Sequence, residues 1–280
     1  MATSQLSATY RSAFVTGASA GLGRAFCEML LAEGVRVWGT ARDPARLGAL
    51  AVRPGFTAVA LDLADPAGAA QALAQATAAA GGAFDLVVQN AGFGVFGPFA
   101  STDFAIWQRQ FDAMLGTTAR LSHAALGPML ARGRGCLVHV TSLATEFPLP
   151  YMSGYNLAKA GLSALSESLV VETRGTGVTV IDFRPGDHRT DFNQAMHRPS
   201  ATAPTGDPRL TRAWQGLEAH LQSAPPPARA AADLRRALGG HRSGVVRSGG
   251  FFQARLAPAF AALLPAPLRR ALTARYFGTE

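Results

Sequence analysis

Short apolar runs alternate with longer helical patterns from residue 11 to residue 183, and this alternation leaves the chain few ways to fold. Arg11-Ser12-Ala13-Phe14-Val15-Thr16 reads as a buried strand, followed by a glycine-rich turn and a helix over 22–33 that Gly34 closes. Further strands are expected at 35–40, 57–61, 84–90, 136–141 and 178–183. Helical patterns fall between them at 42–51, 66–80, 103–132 and 153–174, with Gly116, Gly127 and Pro128 as candidate breaks in the third. Parallel strands need crossover connections, and helices that make them pack back onto the sheet with a right-handed sense. The expected class is therefore α/β, with a doubly wound parallel sheet.

Beyond 183 the regularity lapses. Residues 187–227 are rich in Pro, Thr, Ala and Gly and read as an irregular insertion, a functional lid or a mobile segment. The expected fold is a single domain with a helical substrate lid there and a C-terminal extension. A helix is expected at 229–238, an edge strand at 244–247, and two short amphipathic segments between 251 and 276, separated by Pro265 and Pro267. The chain thus divides into a tail at 1–11, one domain at 12–250 carrying the lid, and an extension at 251–280. A hydrophobic content of 48% against 16% charged residues allows a sizeable core and excludes a disordered chain. No apolar run reaches the length of a membrane span, and residues 1–12 lack the apolar core of a secretory leader. Cys27 and Cys136 lie in apolar surroundings with no metal-ligand neighbours, so the expectation is reduced thiols, no metal and a cytoplasmic location. No nucleic-acid partner is expected.

Tyr155 and Lys159 stand at i and i+4 in the 153–174 pattern, which places them on one helix face. An ammonium beneath a phenol favours the phenolate, so the pKa of Tyr155 is expected to fall toward neutrality, as suits a general acid acting on a carbonyl oxygen. Lys159 is the one lysine in the chain; the other 25 basic side chains are arginine. A compact, titratable ammonium has been kept here, and arginine does not replace it. Ser142 lies thirteen residues before Tyr155, at the end of the 136–141 strand.

The turn after the first strand is Thr16-Gly17-Ala18-Ser19-Ala20-Gly21-Leu22-Gly23. Its glycines allow a tight turn and close backbone approach, and the helix N-terminus that follows attracts a pyrophosphate. Asp62, Asn90-Ala91-Gly92, Ser142 and Pro185-Gly186 sit at the carboxyl ends of successive strands, where open α/β sheets bind ligands.

On these residues the chain resembles the short-chain dehydrogenase/reductase family. The matching elements are 16–23, Asp62, 90–92, Ser142, Tyr155 with Lys159, and Arg184-Pro185-Gly186 with Thr190, in family order. The resemblance implies a Rossmann-type sheet and assigns roles. Tyr155 would be the general acid/base and Ser142 would orient the substrate carbonyl. Lys159 would bind the nicotinamide ribose and lower the pKa of Tyr155. Asp62 with Leu63 would contact the adenine, Asn90 with Ala91 and Gly92 the adenosine ribose region, and Thr190 the carboxamide. Gly17, Ser19, Gly21, Leu22, Gly23, Pro185 and Gly186 would complete the cofactor site. Ser142 as a turn residue and Thr190 as a helix cap are the plainer alternatives.

NAD-specific relatives place an acid at the end of the second strand; here the run is Thr40-Ala41-Arg42. A guanidinium suits the 2′-phosphate of NADP, so NADP(H) is expected, unless Asp43 pairs with Arg42. Relatives also carry an asparagine where this chain has Met114. In the family that asparagine's backbone carbonyl holds a water in the proton relay from Lys159 to solvent. The methionine is either a core filler that leaves the relay intact, or it implies slower proton resupply or chemistry that no longer needs the relay. The pocket wall expected from Phe93, Val95, Phe96, Leu143, Phe147, Leu149 and Tyr151 is apolar and suggests a bulky hydrophobic ketone or alcohol, and the C-terminal layout resembles that of relatives acting on steroids, retinoids or long-chain acyl substrates. The leading reading is an NADPH-dependent carbonyl reductase, a homodimer or homotetramer. Isomerase or dehydratase chemistry on the same fold, and a non-enzymatic dinucleotide sensor, are the alternatives.

Charge is unevenly spread. Residues 1–199 carry 15 basic and 14 acidic side chains, whereas 200–280 carry 11 arginines against Asp207, Glu218, Asp233 and Glu280. Arg255, Arg269, Arg270 and Arg275 interleave with Phe251, Phe252, Leu256, Phe260, Leu263, Leu264, Leu268, Leu272 and Phe277. Such a pattern suits a membrane surface or an acidic carrier protein, or closes the pocket or a subunit contact while the arginines stay solvated.

Overall fold

Seven strands form one parallel sheet in the computed structural model, which describes residues 6–192, 196–198 and 207–279. They are β1 (Ser12–Val15), β2 (Arg36–Ala41), β3 (Phe56–Ala60), β4 (Leu86–Gln89), β5 (Gly135–Val140), β6 (Val178–Pro185) and β7 (Gly244–Ser248). Their order is β3-β2-β1-β4-β5-β6-β7, so the chain winds outward in both directions from β1. The carboxyl ends of β1 and β4 meet at the point where the winding reverses, and that crevice is where such sheets bind ligands.

Alternation along the strands separates two cores. Ala13, Val15, Leu86, Val88, Cys136 and Val138 face one side, against Phe26, Cys27 and Leu30 of α1 (Gly21–Ala32) and Ala230, Leu234 and Leu238 of α7 (Pro227–Gly239). Phe14, Val87, Leu137 and Val180 face the other. There they meet Leu73 of α2 (Pro66–Ala79), Leu121 and Met129 of α4 (Thr118–Ala131) and Leu169 of α5 (Ser153–Glu172). Each large apolar side chain so buried contributes about 1.5–3 kcal/mol. Burial pushes the pKa values of both cysteine thiols up, consistent with inert core residues.

Several expectations are corrected. The 42–51 pattern is a 3₁₀ segment, Pro44–Leu50, whose first turn Asp43 caps by accepting from the Ala45 N–H at 3.0 Å. Gly48 bends it at φ +54°. The long third helical pattern divides at 112–117, not at Gly127 or Pro128, which stay inside α4. Here α3 (Phe104–Phe111) runs into a π-turn, Asp112–Thr117. The Thr117 hydroxyl donates to Asp112 O at 3.1 Å and to Leu63 O at 2.8 Å, which ties the widened turn to the end of β3.

The lid carries a helix in its second part: α6 (Pro208–Gln222), started by Asp207 accepting from Arg209 N–H at 2.9 Å and by Pro208 in the first turn. Residues 193–195 and 199–206 of the expected lid lie outside the described residues, as do 1–5 of the tail. In the rest of the tail, Leu6 and Tyr10 are buried, and the Tyr10 hydroxyl donates to Leu238 O at 3.3 Å. The C-terminal extension continues from β7 as a π-turn (Phe252–Leu256), α8 (Ala257–Leu263) and α9 (Ala266–Tyr276). Among the described residues, no helix is long and apolar enough to cross a membrane.

Candidate active site

The β1–α1 turn is built to leave backbone N–H groups facing outward. Gly17 takes φ +72°, a conformation that a side chain would strain. Its N–H donates to the Thr40 hydroxyl at 3.2 Å, and Ala18 N–H donates to Thr40 O at 2.7 Å, which pins the turn to β2. Gly23 lets α1 approach closely, because a Cβ there would run into Gly17 O. The Asn90 side chain donates to Thr16 O at 2.9 Å and to Gly17 O at 3.3 Å, and the Thr16 hydroxyl accepts from the N–H groups of Asn90 and Ala91. The Asn90 amide donors thus brace the turn, while the residue itself also lines the cavity. Ala20, at the N-cap of α1, offers no side-chain cap, so the first N–H groups of the helix face the cavity beside Ser19, Gly21 and Leu22.

That cavity measures about 950 Å³ and runs along the carboxyl edge of the sheet. Of the expected cofactor residues, Gly17, Ser19, Gly21, Leu22, Arg42, Asp62, Leu63, Asn90, Ala91, Gly92, Tyr155, Lys159, Pro185, Gly186 and Thr190 line it, and Gly23 lies behind the wall. At the β2 end Arg42 and Arg46 both reach the lining; Arg46 lies on the 3₁₀ segment that follows and was not singled out from the sequence. Asp43 does not pair with Arg42, because its carboxylate is occupied with the cap of the following turn. The residues present fit a dinucleotide: an uncapped helix N-terminus for a pyrophosphate, and arginines at the strand end for a further phosphate. Among the described residues, no cluster of His, Cys, Asp or Glu could hold a metal ion.

Ser142, Tyr155 and Lys159 meet at the middle of the cavity. The Ser142 hydroxyl accepts from Ala144 N–H at 3.0 Å, which fixes its position at the end of β5. Lys159 is buried; its ammonium donates to Val140 O at 2.6 Å and lies 5.7 Å from the Tyr155 ring centroid. The expected depression of the Tyr155 pKa is not found. Burial pushes the phenol up to about 12, with Asp187 adding to the rise and the Ser142 hydrogen bond opposing it. Burial also lowers Lys159 to about 8, and Asp182 opposes that fall. Desolvation disfavours the charged form of each group and is the largest cause of both shifts.

Behind the site, Asp182 is fully buried and accepts from the Thr141 hydroxyl, from Ser163 Oγ at 2.7 Å and from Arg184 Nε at 2.8 Å. Arg184 also donates to Glu146 at 2.7 Å. This network anchors the end of β5 to the helix that carries Tyr155 and Lys159. Met114, on the π-turn, is buried, and its terminal methyl would lie 3.1 Å from a Cβ on Gly92, close to where the Lys159 ammonium sits.

At the opposite end the walls are apolar. Phe93, Val95, Leu143, Phe147 and Leu149 line the cavity as expected, whereas Phe96 and Tyr151 do not. Those two rings pack on each other with centroids 5.7 Å apart, and Phe96 packs on Trp214 of α6 at 5.1 Å, so they support the lid from behind. The extension supplies walls that the sequence left open: Phe252, Phe260, Leu264, Leu272, Tyr276 and Phe277 all line the cavity. Gln253 clamps the loop after β6. Asp187 N–H donates to Gln253 Oε1 at 3.0 Å, and Gln253 Nε2 donates to Asp187 Oδ2 at 2.6 Å. Tyr276 stacks on His220 of α6 with ring centroids 4.0 Å apart, so lid and extension are joined.

Comparison with known proteins agrees with this geometry. The family model for short chain dehydrogenases matches residues 11–200. An uncharacterized oxidoreductase of Myxococcus xanthus is 37% identical over 199 residues, 68% of this chain and 77% of that one. A short chain dehydrogenase of Pseudocercospora fijiensis is 32% identical over 189 residues, 65% of this chain, and the match spans 61% of its length. A short-chain dehydrogenase structure from Streptomyces avermitilis superposes with a TM-score of 0.80 at 29% identity, covering 95% of each chain. Two more distant structures share the fold. One, from Burkholderia phymatum in complex with NAD, has a TM-score of 0.77 at 24% identity, covering 91% of this chain and 92% of that one. The other, from Burkholderia cenocepacia in complex with NADP, has a TM-score of 0.72 at 23% identity, covering 97% and 98%. With the sheet order, the glycine turn and the Ser142–Tyr155–Lys159 cluster in place, the chain belongs to the short-chain dehydrogenase/reductase family of nicotinamide-dependent oxidoreductases.

Proposed function

We propose that this protein is an NADPH-dependent carbonyl reductase, reversible as an alcohol dehydrogenase, acting on a bulky hydrophobic ketone or alcohol. The observation that carries the reading is one cavity with Ser142, Tyr155 and Lys159 at its middle, arginines at one end and aromatic and aliphatic walls at the other. When bound, NADPH supplies the hydride. The chain's own residues handle the proton and the orientation. With its pKa pushed up to about 12, the Tyr155 phenol is fully protonated at neutral pH and holds the proton that a carbonyl oxygen needs on reduction. Ser142, fixed by the Ala144 N–H, keeps its own proton free to donate to the same oxygen. Arg42 and Arg46 at the end of β2, with Ala41 where an acid would read a ribose hydroxyl, support the NADPH preference. The aromatic and aliphatic side chains of the far wall, Phe147, Phe252, Phe260 and Leu272 among them, support the substrate class.

The test is NADPH consumption with a series of methyl ketones of increasing chain length. The expected result is a kcat/KM that rises with apolar length and exceeds that with NADH at least tenfold. Equal use of both dinucleotides would remove the cofactor assignment, and a preference for small polar ketones would remove the substrate class.

A further inference from the structure

The largest share of exposed apolar surface lies on the extension, beside the cavity mouth. Thirteen large hydrophobic side chains are exposed among the described residues, and seven of them fall between 251 and 276: Phe251, Phe252, Leu256, Phe260, Leu268, Leu272 and Tyr276, from 38% to 68% exposed. On α9, Leu268, Leu272 and Tyr276 recur at every fourth position and form one stripe. By helical geometry Arg275 flanks the stripe on one side and Arg269 on the other, while Arg255 and Arg270 add two more cations to the segment. No acidic residue occurs between 251 and 279.

We propose that this face docks on an anionic lipid surface, with the apolar side chains entering the headgroup boundary and the arginines meeting lipid phosphates. Charge decides between occupants. A second copy placed face to face would set the four arginines of this segment against four with no acid within either segment, a repulsion that self-association would have to overcome. An anionic bilayer complements both features at once, because arginine stems lie along apolar surface while their guanidinium heads reach phosphate. Phe252, Phe260, Leu272 and Tyr276 belong both to this face and to the cavity lining, so a docked protein opens its substrate end toward the lipid. A lipophilic substrate would then reach Tyr155 without crossing water.

The test is co-sedimentation of the full chain with phosphatidylcholine vesicles, with and without about 30% phosphatidylglycerol. Binding is expected to the anionic vesicles alone and to fade as salt rises from 0.1 M to 1 M, where the Debye length shrinks from about 10 Å to about 3 Å. Arg255→Gln, Arg270→Gln and Arg275→Gln lie outside the cavity lining; each should weaken binding by about fivefold, the scale of one cation near an anionic surface. Phe251→Ser with Leu268→Ser should weaken it further and leave NADPH turnover of a short soluble ketone unchanged. Turnover is measured in the same samples, so a failure of the reductase reading is seen separately. Equal binding to neutral vesicles, no binding to either, or concentration-dependent self-association abolished by the serine pair would each overturn the proposal.

Discussion

At the β1 end of the cavity the walls are largely backbone: a glycine turn, the uncapped start of α1, and strand ends fixed by hydrogen bonds within the sheet. At the far end they are side chains on helices that follow the sheet, and the structure there depends on α6, α8, α9 and the Gln253 clamp. The first construction tolerates little substitution, because a positive φ at Gly17 or a close approach at Gly23 admits few residues. The second tolerates many, since any large apolar side chain can serve as wall. A cavity assembled in this way can keep one chemistry while its substrate end varies.

Substitutions at the two ends and at the centre should therefore behave differently. The largest effect is expected at the centre. Tyr155→Phe removes the proton donor and keeps the ring, so kcat should fall by about three orders of magnitude or more, with NADPH affinity changed less than about threefold. Steady-state rates beside fluorescence titration of the cofactor check this, and a rate within tenfold of the parent would break it.

At the cofactor end, just past β2, Arg42→Ala should weaken NADPH binding by about 1–3 kcal/mol, the scale of a charge-assisted hydrogen bond, while leaving NADH binding alone. Equal losses for both would show that Arg42 does not read the phosphate. Free Lys159 loses its charge above pH about 8. If its ammonium binds the cofactor, affinity should be flat below that pH and fall toward tenfold per pH unit above it, the slope of one proton. A dissociation constant flat to pH 9.5 by calorimetry would contradict the role.

At the far end, Gln253→Glu sets two carboxylates against each other, the introduced one facing Asp187, and should raise the KM for NADPH by about tenfold at neutral pH. Protonation relieves the repulsion, so the defect should shrink toward pH 5. Adding Asp187→Asn restores a donor–acceptor pair with reversed polarity and should recover most of the loss. A double variant no better than the single one would leave Gln253 as filler and not a positioning residue. The smallest effect is expected at Met114. Met114→Asn should change turnover by a few-fold and leave substrate choice unchanged; an unaltered pH–rate profile would show that the π-turn backbone suffices without that side chain.

The contrast also explains what could be read from the sequence. The strands β1 to β6, the glycine turn and the Ser142–Tyr155–Lys159 cluster were readable because hydrophobic period and backbone demands restrict the residues allowed there. Phe96 and Tyr151 were misplaced because an aromatic after a strand end can face the cavity or pack behind it, and only the position of Trp214 decides. Asn90 showed its place but not its partners, since its amide turns back to Thr16 and Gly17. The Tyr155 pKa went the other way because an i, i+4 spacing encodes proximity to Lys159 and says nothing of the burial that both groups share. The Gln253 clamp spans 66 residues of sequence and carries no motif. For the helical lid the sequence leaves the bounds open, although Asp207-Pro208 is a start signal for the helix at 208–222.

The most direct test of the central claim follows the hydride itself. NADPH deuterated at the nicotinamide C4 is mixed in single turnover with excess enzyme and a long-chain methyl ketone, and the alcohol is analysed by mass spectrometry. The account predicts one deuterium at the carbinol carbon from one of the two C4-labelled cofactors, formed by the parent and at least a thousandfold more slowly by Tyr155→Phe. Cofactor consumed with no label in the alcohol, or label transferred equally fast by the variant, would contradict it.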